Sequence, residues 1–360
     1  MLIDKSVGIV TIYNNDNCGS FLQALALNQV LEEKGYKVYF VSNKRYLYDG
    51  PIHKSIRITK KLVTFRFRQA YSLLSNYIVF GKLRKRFKMC SHNAVKVAVY
   101  GSDTIWNMQG SFGKEWKHYW GYNYAGKKIA YSPSISPLKP NDILTNESLC
   151  LCLKNFDYIS VRDSETEELI KQVKKEDSVT KTIDPTMLLP VSFYRQFVVN
   201  EPKEKYILFY CFATIDDSVL KAIRNYAHSH GLKIYSFNNS VAKVDKLLKF
   251  NPIDMMTYYN SAEFVVTDTF HGNVFSIIYN KNFINIDTGK KKVIDLLNTF
   301  GLDFRTAKSA EDVEKIIDCD IDYKSTNSIL EELRNKSKNY LYNAVENCFK
   351  DIDNGEQIKG

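Results

Sequence analysis

The sequence predicts an α/β protein of two lobes, each a parallel sheet flanked by helices, followed by a C-terminal helix. Three observations predict it. Short apolar runs alternate with helix-period segments along most of the chain, the pattern of parallel βαβ units. The alternation breaks once, over residues 190–205 (PVSFYRQFVVNEPKEK), where periodicity is poor and two prolines occur. At 360 residues the chain is also too long for one ordinary core. The expected organisation is a first lobe over 1–195, a second over 196–322, and a helix and tail over 323–360.

In the first lobe, residues 6–13 (SVGIVTIY) read as a strand and 14–20 (NNDNCGS) as a polar turn. A helix over 21–34 puts Leu22, Leu25, Val30 and Leu31 on its apolar face, and Gly35 sits where a glycine ends a helix. Strands are predicted over 36–41, 95–100, 128–131 and 158–161, with Ser164 capping the next helix. In the second lobe, strands are predicted over 206–212, 233–237, 264–267 and 282–286. Helices are expected over 218–228, from the first-turn proline Pro252, and after His271. Residues 325–351 read as one long helix returning to the first lobe.

An apolar fraction of 44% with 13% aromatics is ample for folding and excludes a disordered chain. The seven cysteines (18, 90, 150, 152, 211, 319 and 348) are odd in number and scattered, and only Cys150 and Cys152 are close. They read as reduced thiols of a cytoplasmic protein. No His/Cys/Asp spacing resembles a metal site. The chain opens without a secretion-signal pattern, and no window approaches ~20 uninterrupted apolar residues.

The net charge of +10 is concentrated. Between Gly50 and Ser102 there is no acidic residue but twelve Lys/Arg, leaving 38 basic against 40 acidic residues elsewhere. This insertion, about 50–92, mixes Arg66 and Arg68 with apolar and aromatic residues over 62–80. The run KLRKRFK at 82–88 follows and contains Arg84, Lys85 and Arg86. Such a segment suits an anionic membrane surface or an acceptor diphosphate. Nucleic acid is the rival partner, and a solvated helix pair is the plain alternative.

Six polar turns directly follow predicted strands, so all would face one cleft at the carboxyl edges of the sheets. The stretch 263–280 (EFVVTDTFHGNVFSIIYN) is the most informative: strand, polar turn and helix start place Thr269, His271 and Gly272 at that edge. A helix N-terminus offers free N–H groups to an anion, and histidine moves protons near neutral pH. A histidine merely capping a turn is the alternative. Gly19, beside Asn17, would let backbone approach a phosphate. Asp103 and Trp106 are candidates to bind and stack on a sugar, or else a buried tryptophan with a capping aspartate. Ser132 lies in SPSIS at 132–136. Arg162 would grip a carboxylate or phosphate, or pair with Asp163 or Glu165. Asp184 and Thr186 form another turn. Cys18 has no cue pairing it with a base, and His228 and His230 read as surface capping.

These segments, in order, resemble the polysaccharide pyruvyl transferase family: NNDNCGSFLQALAL after the opening strand, VYGSDTIWN at 99–107, KIAYSPSIS at 128–136, ISVRDSE at 159–165, TIDPTMLLP at 182–190 and FVVTDTFHGNVFSIIYNKNF at 264–283. The resemblance covers about 6–290. It implies two Rossmann-like lobes in a GT-B-like architecture, and transfer of a pyruvyl group from phosphoenolpyruvate to sugar hydroxyls as a cyclic ketal. His271 matches the family's histidine, implied as general acid/base and phosphate contact, and Arg162 matches an arginine implied in donor binding. Asn17, Gly19 and Asp103 match first-lobe cleft motifs, and Asp184 and Thr186 match the DPT turn. One departure stands out. Many members carry an arginine immediately before the histidine, where this chain has Phe270. Arg162, Lys290–Lys292 or Arg305 are possible substitutes, with Lys291 at a plausible sheet edge.

Ketal formation needs a proton at the donor's methylene carbon and cations to hold a carboxylate and a phosphate. No metal or cofactor is required beyond the donor substrate. The leading expectation is a cytoplasmic enzyme at the inner membrane face, acting on a lipid-linked (polyprenyl-diphosphate) oligosaccharide of capsule or exopolysaccharide synthesis. Rival readings are a nucleotide-sugar glycosyltransferase, favoured by Phe270, and a non-catalytic lipid- or glycan-binding protein. A nucleic-acid module is not expected.

Overall fold

The computed structural model describes residues 5–42, 51–64, 67–109, 114–238 and 241–357. Two parallel sheets form, with one plan of strand order. In the first, β1 (Ser6–Val10), β2 (Lys37–Val41), β3 (Met89–Cys90), β4 (Val97–Tyr100), β5 (Lys127–Ala130), β6 (Tyr158–Val161) and β7 (Thr180–Lys181) lie in the order β3-β2-β1-β4-β5-β6-β7. In the second, β8 (Tyr206–Tyr210), β9 (Lys233–Ser236), β10 (Lys246–Leu247), β11 (Phe264–Thr267), β12 (Asn282–Ile286) and β13 (Thr306–Ala307) lie in the order β10-β9-β8-β11-β12-β13. Val7 faces Val38 on one side and Val97 on the other, while Val265 faces Leu208 and Phe283. Strand order reverses beside the first strand of each sheet, between β1 and β4 and between β8 and β11. Each lobe therefore has one switch point, the crevice where open α/β sheets bind ligands. This is the expected pair of Rossmann-like lobes in a GT-B-like arrangement.

The central strands explain why the alternation was readable. SVGIV, YILFY and FVVT are buried along their whole length, as parallel strands covered on both faces must be. The short edge strands β3, β7, β10 and β13 span two residues each, too few to leave a periodic signal. Helix α1 (Cys18–Glu33) starts earlier than predicted because Asn17 caps it, its side chain accepting from the Ser20 N–H at 3.2 Å. The cap of the Ser164–Lys174 helix is Asp163 rather than Ser164: Asp163 Oδ1 accepts from the Thr166 N–H at 2.9 Å and hydroxyl at 2.6 Å. The break in the alternation over 190–205, read as a linker between the lobes, holds a short helix, Val191–Arg195.

The Tyr323–Gln357 helix joins the lobes. Tyr323 Oη donates to the Lys281 carbonyl at 2.5 Å in the second lobe. Farther along, Arg334 Nε donates to the Met187 carbonyl at 2.8 Å, and Phe349 stacks on Tyr36 with centroids 6.0 Å apart. One hydrophobic cluster accordingly contains Phe21, Val265 and Leu341 together. The basic insertion forms a hairpin of α2 (Pro51–Val63) and α3 (Phe67–Arg84). Among the described residues no helix is long and apolar enough to cross a membrane.

Candidate active site

Loops from both switch points converge on one cavity of about 300 Å³. Each pair of loops is braced from beneath by a single buried polar side chain. Gln23 Nε2 donates to Thr11 Oγ1 at 2.9 Å and the Ile12 carbonyl at 3.1 Å, and its Oε1 accepts from the Ser102 N–H at 3.2 Å. That ties the loop after β1 to the loop after β4. In the second lobe Asp268 does the same for β8 and β11, accepting from the Phe212 and Ala213 N–H groups at 2.8 and 2.9 Å. Neither brace was singled out from the sequence. Their partners are 79 and 56 residues away, and a local pattern carries no such information.

His271 is the second residue of the Phe270–Ile278 helix, which Thr269 caps by accepting from the Gly272 N–H at 2.9 Å. Its Nε2 lies 3.7 Å from Asp184 Oδ2 and has no hydrogen-bond partner among the described residues. The ring packs on Gly19, where a Cβ would stand 2.2 Å from Nδ1. Gly19 thus admits the imidazole, a different role from the backbone approach to an anion expected of it. Burial pushes the His271 pKa below the ordinary histidine value, against the opposing pull of Asp184 and Asp103, so the ring is neutral at pH 7.

Arg162, at the end of β6, donates from Nη1 to Asp184 Oδ2 at 2.6 Å. Its carboxylate partner is therefore Asp184, while Asp163 is spent on its helix cap. The guanidinium lies on the Phe270 ring, Cζ 4.2 Å from the centroid. Its Nε and Nη2 are buried with no partner among the described residues. Phe270, the departure from the family pattern, is thus the support beneath the site's arginine.

Asp184 is the hub of the cluster. Its Oδ2 also accepts from Ser102 Oγ at 3.2 Å, and its Oδ1 accepts from Thr186 Oγ1 at 2.7 Å. Thr186 and Ser132 are fully buried; Ser132 Oγ donates to the Thr182 and Ile183 carbonyls at 3.1 and 3.0 Å. These two position the loops from below and do not line the cavity. Asp103 does line it, accepting from Ser20 Oγ at 2.6 Å and the Thr104 N–H at 2.8 Å. Burial alone would raise the Asp103 carboxyl, but His271, Arg162, the Ser20 hydroxyl and Lys292 outweigh it and hold it below the usual range.

Other candidates lie elsewhere. Trp106 is fully buried, 5.6 Å from Trp120 and 5.7 Å from Phe156, and is no stacking platform. Gly272 is packed under Thr267, where a Cβ would meet Oγ1 at 1.9 Å, and its N–H serves Thr269. Lys291 is exposed, and its neighbours line the cavity instead. Lys290 Nζ donates to the Asp268 carbonyl at 3.0 Å, and burial together with Arg162 pushes the Lys292 ammonium down to about 8. The run of three lysines at a helix start did not reveal that Lys290 and Lys292, rather than Lys291, line the cavity. Arg305 is fully buried, donating to the Phe283 carbonyl at 2.6 Å. Burial pushes the Cys18 thiol well up, which excludes a ready thiolate. Arg84 turns inward onto the Tyr13 and Asn15 carbonyls at 3.2 and 2.5 Å, Arg86 lies over Phe197, and Lys85 is exposed. Arg66 and the side chain of Arg68 lie outside the described residues. Among the described residues no group of three or more His, Cys, Asp or Glu side chains is placed to hold a metal ion.

Three cations, a neutral imidazole and the N-termini of α1 and the Phe270–Ile278 helix therefore surround a space fit for a small polyanion and a proton transfer. The sequence profile of the polysaccharide pyruvyl transferase family matches residues 17–290. No curated protein matches. Among solved structures, one from Listeria monocytogenes described as a UDP-N-acetylglucosamine 2-epimerase shares 8% identity at a TM-score of 0.54, covering 96% of each chain. A UDP co-structure of S. aureus MnaA shares 12% identity at a TM-score of 0.49, covering 91% of each chain. The first likeness is one of fold.

Proposed function

The chain belongs to the polysaccharide pyruvyl transferase family, and from that premise we propose that its cleft moves a pyruvyl group from phosphoenolpyruvate to two hydroxyls of a sugar. The observation that carries the reading is the half-used guanidinium of Arg162. One of its arms is committed to Asp184, and two buried nitrogens beside His271 are left for an anion. Lys290, Lys292 and the helix N-termini share the donor's phosphate and carboxylate. A cavity of about 300 Å³ suits a small donor, at the low end of the roughly 300–1,000 Å³ of ligand pockets.

His271, neutral in the free cleft, takes the proton of the first attacking hydroxyl and delivers it to the donor's methylene carbon. That carbon becomes a methyl, the electron-poor C2 gains the sugar oxygen, and a second hydroxyl then closes the ketal as the C2–O bond to phosphate breaks, its proton leaving on the inorganic phosphate. Asp184 holds both Arg162 and His271 in register without touching the donor. The acceptor is a glycan carried on a polyprenyl diphosphate, as in capsule or exopolysaccharide synthesis.

The test is purified protein with phosphoenolpyruvate and a panel of lipid-linked oligosaccharides, read as free phosphate and a pyruvylated product. Absence of phosphate release across the panel overturns the reading. His271→Ala should lower turnover by roughly 10²–10⁴-fold with an unchanged melting curve. Calorimetry against uridine and guanosine diphosphate sugars tests the glycosyltransferase alternative that Phe270 suggested. Heat with those donors and none with phosphoenolpyruvate would reverse the order.

A further inference from the structure

The hairpin of α2 and α3 carries an apolar stripe that is exposed among the described residues. Phe67, Tyr71, Leu74 and Ile78 recur at helical spacing along α3 and are 59%, 63%, 44% and 46% exposed. With Ile56, Leu62 and Val63 of α2 they make seven of the fifteen exposed large hydrophobic side chains among the described residues. So dense a patch on one hairpin marks an interaction surface.

Its charge says what kind. The hairpin lies wholly within the acid-free stretch with its twelve Lys/Arg. Across a groove of about 830 Å³ the second lobe adds Lys246, Lys249 and an exposed Leu247, facing Lys60 and Lys61 of α2. Lys249 Nζ sits 4.6 Å over the Tyr71 ring, so the two lobes meet in one face rich in lysine and aromatic side chains, with Asp245 lining the same groove. Arg84 at the end of α3 grips the Tyr13 and Asn15 carbonyls, and Asn15 lines the catalytic cavity, so this face is fastened to the mouth of the cleft.

We propose that the hairpin and the Lys246–Lys249 edge dock on an anionic lipid bilayer, the apolar stripe entering the headgroup boundary and the lysines meeting the phosphates. The centre of the surface is Lys60 and Lys61, with the stripe beside them; of the patch the sequence suggested, Arg84 turns inward, Lys85 is exposed, and Arg66 and the Arg68 side chain lie outside the described residues. A second copy of the chain would meet a like-charged face, which disfavours self-association. Docking rests on the surface alone, independent of the chemistry in the cleft.

Cosedimentation of the full chain with phosphatidylcholine vesicles, and with equimolar phosphatidylcholine and phosphatidylglycerol, tests it. Binding is expected to the mixed vesicles, at least tenfold weaker to phosphatidylcholine alone, and weakened by added salt. Lys60→Ala and Lys61→Ala should each weaken it about fivefold, and Leu74→Ser with Ile78→Ser should release the protein with melting unchanged. No binding to mixed vesicles at low salt overturns the proposal. So does equal binding to both vesicle types, indifference to both pairs of substitutions, or a concentration-dependent dimer that the serine pair dissolves.

Discussion

A methyl group at position 19 would stand 2.2 Å from His271 Nδ1, so the imidazole's place depends on a residue far from it in sequence. Gly19→Ala should cost at least 10²-fold in turnover by displacing the ring and about 1–3 kcal/mol in stability, read by initial rates and urea melts. Gly81→Ala is the control: nothing lies within 4 Å of its added Cβ, so it should gain up to about 1 kcal/mol as a helix substitution and leave the rate alone. Phe270→Leu keeps an apolar contact but removes the ring face under Arg162. The donor KM should rise roughly two- to thirtyfold, the range of a partly desolvated cation–π contact, with kcat little changed. Lys292 supplies a pH signature. Its ammonium, pushed down to about 8, is charged below that value and lost as pH rises through it. Donor kcat/KM should therefore fall with rising pH near 8, and Lys292→Arg should move that limb upward. His271 acts at the other end: with its pKa below 6.5 it is neutral above that and charges as pH falls, so kcat/KM should also decline in acid. His271→Gln should remove that acid limb from whatever rate remains.

The lobes meet through helix ends. Asp295, on the Lys291–Thr299 helix of the second lobe, reaches the N-terminus of the Ser164–Lys174 helix in the first. It accepts from Ser164 N at 2.8 Å and Oγ at 2.7 Å. A carboxylate there satisfies an orphan N–H and opposes the positive end of the helix. Lys292 lies on the same helix as Asp295, and Arg162 lies two residues before Ser164, so this contact sets the distance between two cations that line the cavity. Asp295→Ala should cost about 1–3 kcal/mol as the loss of a charge-assisted bond, measured by denaturation. It should also raise the donor KM more than it lowers kcat, because the cations drift apart while the proton-transfer group stays on its own helix.

Across the whole molecule, one hydrophobic cluster runs through β1, α1, β8, β11 and the C-terminal helix, with Leu341, Val345 and Cys348 fully buried in it. Two lobes sharing a core should unfold together, and calorimetry should give one transition whose van't Hoff and calorimetric enthalpies agree. Leu341→Ala should lower the stability of that single transition by about 2–5 kcal/mol without splitting it. The doubly wound architecture was legible because parallel strands buried on both faces leave unbroken apolar runs such as VAVY and FVVT, separated by helix-period segments. Candidate cleft residues were legible where a turn follows such a run, which is why His271, Arg162, Asp103 and Asn17 reach one cavity. Roles were a different matter. Asp184 as hub, Gln23 and Asp268 as braces, Gly19 as a socket, Phe270 as a platform and Lys292 in place of Lys291 all depend on partners brought together by crossovers of tens of residues. Periodicity reports which face of an element is buried; the packing of one lobe against the other selects which polar atoms then meet.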